Sequence, residues 1–192
     1  MKKYFPLAIL VLGVVYLAST LAPHADKTEF KLNEFGRVPV LVNGRIKPLD
    51  TVARTSLLTL QGRQRVVTPD GVTLTPVAWL ADVLFAPAKA DNYRVLLIEN
   101  HEVADLLNVK PEDGDGGKRF SYLQLRDKLP ELEKQARLAD GVDSQERTPF
   151  QRQVVTVRDR VVLYLQLKTS VQLPDSPDFL TELQMFERAL PA

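Results

Sequence analysis

The sequence predicts an α+β domain, mainly helical, behind an N-terminal apolar segment. Three observations carry that prediction. Short β-branched runs are broken by Asn43-Gly44 and by Pro69-Asp70-Gly71, which are hairpin turn signals. Apolar residues then recur at helical spacing over two long stretches, Ser121 to Ala136 and Phe150 to Val171. Finally, Tyr4 to Ala22 form an almost unbroken apolar run behind Lys2 and Lys3.

That run divides the chain. Residues 1–25 read as a membrane anchor or a signal segment, 26–36 as a polar spacer, and 37–192 as one domain. The apolar core of about 18 residues is near bilayer-spanning length and longer than a signal peptide needs. A cleavage after Ala22 would leave Pro23 at the new N-terminus, which disfavours processing. An uncleaved single span in the cytoplasmic (inner) membrane is therefore the favoured reading and a cleaved signal the alternative. Lys2 and Lys3 would stay inside, placing the domain outside the cytoplasm.

Composition excludes several classes of function. The chain has 192 residues, 45% hydrophobic and 26% charged, so it can bury a core. Its net charge of +1 gives no general attraction to nucleic acid. The absence of cysteine removes disulfides, thiolate metal sites and covalent haem attachment.

The domain opens with Val38 to Val42, a strand in which Pro39 suggests an edge or a start. Asn43-Gly44 turns it into a short return strand that Pro48 ends. Asp50 is the expected N-cap of a helix whose apolar face is Val52, Ala53, Leu57 and Leu60, with Gly62 as its stop. The second hairpin surrounds Pro69-Asp70-Gly71. Thr75-Pro76 then begins a helix over Val77 to Phe85. Tyr93 to Glu99 reads as a strand, and Asn100 caps a short helix.

The stretch "KPEDGDGGKR" reads as a loop, after which Ser121 caps a helical segment that Pro130 divides or kinks. Thr148-Pro149 opens a long helix carrying Phe150, Val154, Val157, Val161 and Tyr164. The short connection "DGVDSQER" makes the two long segments an antiparallel helical hairpin. A last amphipathic helix is expected in "SPDFLTELQMFERAL".

Catalytic and metal-binding patterns are incomplete. His101-Glu102 resembles half of a zinc motif, but Asp105 stands at the second ligand position and the other histidine is His24. The simpler account is a capped helix with Glu102 in its first turn. "EDGDGGK" fails as a calcium loop, with Lys118 at the glycine position and Gln124 at the position of the closing glutamate. No serine lies in a G-x-S-x-G context. Trp79 reads as a core anchor.

One local charge bias remains. Between Arg45 and Arg65 stand Arg45, Lys47, Arg54, Arg63 and Arg65 against the single acid Asp50. Such a cluster is either solvated surface or a seat for an anionic group or an acidic partner.

The stretch "PVLVNGRIKPLDTVARTSLLTLQGRQ" resembles a segment of cytochrome c biogenesis proteins of the CcsA/ResC (system II) class. The matching positions are Gly44, Arg45, Lys47, Pro48, Leu49, Asp50, Thr51, Ala53, Arg54 and Gly62. "PVAWLADVLFAPAKADNYRVLLIENHEV" and "GGKRFSYLQL" are similar to the blocks that follow in that class, so the likeness runs over roughly residues 35 to 171. It implies a part in presenting haem for attachment to apocytochromes outside the cytoplasm.

The family's haem handling belongs to a multi-span domain with a tryptophan-rich loop and histidine ligands. This chain has one tryptophan and two histidines, so no haem ligand carries over. What the resemblance implies is a non-catalytic scaffold that meets a CcsA/ResC-type membrane subunit or the apocytochrome c through Arg45, Lys47, Asp50 and Arg54. Haem would be reached only through the partner. The competing expectation is an envelope binding or sensor domain, unrelated to haem, that self-associates through the hairpin Ser121 to Val171.

Overall fold

A computed structural model describes residues 9–16, 30–42 and 44–171. These fall into two compact units that divide between Asn33 and Glu34. In the first, residues 9–16 form helix α1, and every one of them is exposed. No described helix is long and apolar enough to cross a membrane. The rest of the Tyr4–Ala22 run, Asn43, and the helix expected in "SPDFLTELQMFERAL" lie outside the described residues.

The second unit is mainly helical, with three two-stranded antiparallel ribbons. Helix α2 (Leu32–Gly36) leads into β1 (Pro39–Val42) and β2 (Arg45–Pro48), which pair Val42 with Arg45, Leu41 with Ile46, and Val40 with Lys47. Gly44 takes the turn at φ 73°, a conformation glycine adopts without steric cost. Helix α3 (Leu49–Gln61) follows at once and ends where Gly62, also left-handed at φ 74°, donates its N–H to the Leu58 carbonyl. The second ribbon is β3 (Val66–Val67) with β4 (Thr73–Leu74), around the expected turn.

Thr75 caps α4 (Pro76–Phe85), its hydroxyl accepting from the Ala78 N–H, with proline in the first turn. After α5 (Pro87–Ala90) comes β5 (Arg94–Leu97), shorter than the strand read from sequence. Asn100 caps α6 (His101–Leu106) by accepting from the Glu102 and Val103 N–H groups. The loop read after it is structured. It carries a 3-10 turn at Pro111–Asp113 and then β6 (Arg119–Ser121), which pairs with β5 as a third ribbon. Ser121 caps α7 (Tyr122–Leu125) with a full capping box involving Gln124. A 3-10 turn, Arg126–Lys128, separates it from α8 (Leu129–Asp140), so the Pro130 region is a break between helices.

Thr148 and Gln151 form a second capping box at the start of α9 (Pro149–Thr169). Helices α8 and α9 pack together, joined by residues 141–148. Asp140 at the end of α8 pairs with Arg158 and with Arg147 (3.2 Å).

Two-stranded ribbons are marginal alone in water, and here the helices supply the core. Trp79, Leu57, Leu60, Tyr93, Phe120 and Tyr164 are all essentially buried. Val154, Val157 and Val161 lie in the same core. The apolar seam of α9 thus packs inside its own domain. Two carboxylates fix the ends of the helical layer. Asp82 accepts from the Tyr93 hydroxyl (2.6 Å) and Lys89 (3.1 Å), and Asp91 accepts from the Tyr164 hydroxyl (2.9 Å) and Lys168 (2.8 Å). Tyr122 stacks on Tyr164, with ring centroids 5.4 Å apart.

Arg160 of α9 closes the structure from the other side. Its Nε donates to the Thr59 carbonyl of α3 at 3.0 Å and its Nη1 to the Leu97 carbonyl of β5 at 2.5 Å.

Candidate functional site

The sequence-predicted residues gather where the first ribbon meets α3. Leu49 is the first helical residue, and its N–H bonds to the Val38 carbonyl (3.0 Å), so helix and ribbon are continuous. The N-cap position belongs to Pro48, in extended geometry (φ −63°, ψ 146°), and has no side-chain cap. This corrects the expected capping role of Asp50. Proline already holds the extended backbone that a cap residue needs, so the helix begins two residues early and Asp50 falls inside its first turn.

From there Asp50 does two things. Its charge sits near the exposed N–H groups of the helix start, and it accepts from Arg54 Nε at 2.8 Å, one turn along. Arg54 Nη1 also reaches Gln64 Oε1 at 3.5 Å. The hydrogen bond to Asp50 holds the Arg54 pKa above its ordinary value.

Arg45 and Lys47 stand on the ribbon, two residues apart and therefore on one face. Arg45 is exposed and Lys47 half-buried. Neither has an ion pair among the described residues. Close packing locks the base of this region. A β-carbon on Gly36 would lie 3.1 Å from a Val77 methyl and 3.4 Å from the Asp50 β-carbon.

The five cations read as one cluster do not form one. Arg63 and Arg65 follow the far end of α3, about 20 Å along its axis from Asp50. Arg63 pairs there with Asp115, and desolvation with neighbouring Arg119 lowers its pKa. Arg119 Nε donates to the Gln61 carbonyl at 3.1 Å, and the buried Gln61 amide holds the Arg63 and Arg65 carbonyls (3.1 and 2.8 Å). This second group is a brace between α3 and the 111–119 segment. What remains as a surface is Arg45 and Lys47 beside the Asp50–Arg54 pair.

Sequence reasoning missed the other face of the ribbon. Pro39, Leu41, Ile46 and Pro48 all lie there and all are exposed, Leu41 at 73% and Ile46 at 76%. Every residue from Val38 to Val42 is apolar, so composition assigned no side; only the register does.

A cleft of about 260 Å³ lies between α6 and the glycine turn at Gly116-Gly117, with His101, Asp105, Glu99 and Lys118 on its wall. It is smaller than the ~300–1,000 Å³ that ligand pockets usually offer. No group of three potential metal ligands occurs among the described residues. The stretch weighed as a calcium loop is held by Asp115 to Arg63 and by its bridge to Arg119.

No family model matches the sequence, and no curated protein matches it.

Proposed function

We propose that this chain is a membrane-anchored, extracytoplasmic and non-catalytic module of a cytochrome c assembly system. The domain docks to a CcsA/ResC-type membrane subunit, or to apocytochrome c, through Arg45, Lys47, Asp50 and Arg54. The apolar run Tyr4–Ala22 holds it at the inner membrane, with the domain outside. Haem is cargo handled by the partner, and this chain contributes no ligand to it.

The observation that carries the reading is the state of the Gly44–Arg54 motif. It is the part of the sequence that resembles the family, and it is also where two cations stand on the first ribbon without an ion pair among the described residues. Arg45 and Lys47 suit a carboxylate-rich partner surface, and Asp50 fixes Arg54 for the same use.

The test is co-purification of the tagged full chain with a CcsA/ResC-type subunit. Capture should fall sharply for the Arg45→Gln/Lys47→Gln double variant. Normal c-type cytochromes in a deletion strain, with no such subunit captured, would refute the proposal.

A further inference from the structure

The first ribbon has two faces, and the docking surface uses one of them. We propose that the opposite face, Pro39, Leu41, Ile46 and Pro48, rests in the outer surface of an anionic phospholipid bilayer, inserting Leu41 and Ile46 at the level of the headgroups. The inference rests on the anchored reading above.

Three observations converge on lipid. First, the face is wholly apolar, and its two central side chains are among the most exposed large hydrophobics described. A soluble surface seldom leaves such side chains paired across a ribbon with nothing over them. Second, the twelve residues Arg37 to Pro48 contain Arg37, Arg45 and Lys47 and no acid. With no carboxylate on the ribbon to be repelled by anionic headgroups, and with a net positive charge to draw it toward them, the segment suits a phospholipid interface. Third, only sixteen residues, Pro23 to Val38, separate the apolar run from β1. Fully extended they span at most roughly 55 Å, so in the anchored reading the tether limits how far the ribbon can stray from the bilayer. Tethering raises the effective concentration of the contact, so a small apolar face suffices.

The basic residues then divide the work. Arg45 and Lys47 project from the ribbon's other side and remain available to a partner in the same membrane. Resting on lipid would fix the height and orientation of that surface, replacing free tumbling on a tether.

The sequence lacks cysteine, so a single introduced thiol labels cleanly. Leu41→Cys, Ile46→Cys and, as controls, Val72→Cys on the second ribbon and Val11→Cys in α1 are each made in the full chain. All four side chains are exposed, so replacement leaves the core intact. Each carries a nitroxide, in nanodiscs of mixed phosphatidylglycerol and phosphatidylcholine, and collision with oxygen is compared with collision with a water-soluble nickel chelate.

The expected result is a severalfold rise in the oxygen-to-nickel ratio at Leu41 and Ile46 over Val72, reduced when phosphatidylglycerol is omitted. A ratio at both positions equal to that at Val72 overturns the inference. So does shielding from both reagents, whether in lipid-free detergent or only when the membrane subunit is added, because protein then covers the face. The Val11 label separates the two proposals: an aqueous signal there removes the anchored reading itself, while a lipid signal there with an aqueous ribbon removes only the inference.

Discussion

Asp50 and Arg54 are joined by a 2.8 Å bond across one turn of α3, and the Asp50 carboxylate caps nothing. A capping aspartate tolerates asparagine and suffers from alanine. A first-turn aspartate acting by charge loses the same thing in either variant. Asp50→Asn and Asp50→Ala should therefore lower stability about equally, each by about 0.5–1 kcal/mol, the pair being partly exposed. Urea titration of both variants measures this; an alanine variant clearly worse than asparagine would restore a capping role.

Arg45→Gln with Lys47→Gln should leave the melting temperature within error of the parent. Neither side chain has an ion pair among the described residues, and charges at least partly exposed contribute little. A large drop would make the surface structural and weaken its assignment to docking.

Arg160 is a different kind of arginine. Half-buried, with its pKa lowered by burial, it supplies donors to two main-chain carbonyls on separate elements. Arg160→Met would strand both acceptors and should cost about 1–3 kcal/mol. Arg160→Lys should recover only part, because one ammonium cannot reproduce the planar fork. Chemical denaturation of the two variants gives the ordering.

Alkaline pH should probe the two tyrosine–aspartate contacts. Burial, then the hydrogen bond to Asp82, pushes the Tyr93 hydroxyl up to about 12. Burial, then the charge of Asp91, pushes Tyr164 up as well. Both bind their protons more tightly folded than unfolded. Their contribution is complete below the ordinary tyrosine value of 10.0; that of Tyr93 is lost as pH rises through about 12, and that of Tyr164, raised further, persists to higher pH. Stability should be insensitive to these groups at neutral pH and fall above pH 10; the Tyr93→Phe/Tyr164→Phe double variant should show a shallower fall in a pH series of urea melts.

Gly62 offers a backbone test. Its φ of 74° lets α3 end with an N–H bonded to Leu58, and Gly62→Ala should cost about 1 kcal/mol. The nearest neighbour to an added β-carbon is a Leu97 methyl at 3.9 Å, so the cost is conformational rather than steric.

The helix starts were legible because each is decided by a few adjacent residues. Thr75, Asn100, Ser121 and Thr148 each accept from a backbone N–H two or three positions ahead, and two are followed by proline. Asp50 misled because Pro48 made the same provision earlier. Strand β6 was hidden for the opposite reason. "RFS" beside a glycine-rich turn has no pattern of its own and becomes a strand only against Arg94–Leu97, which lies more than twenty residues away. Arg45 and Lys47 were visible as charge, but their separation from Arg63 and Arg65 required the length of α3. The apolar face of the ribbon needed the register.

Arg160 bonds to a residue 101 positions before it and another 63 before it. A chain that emerges N-terminus first therefore displays α3 and β5 with their ends still open, and the α9 valines that complete the core arrive last. Closure waits on the end of the domain. During that interval the half-built module exposes the apolar surface that α9 will later cover, and a chaperone that recognises it has a defined window: from the appearance of Leu97 to the arrival of Tyr164.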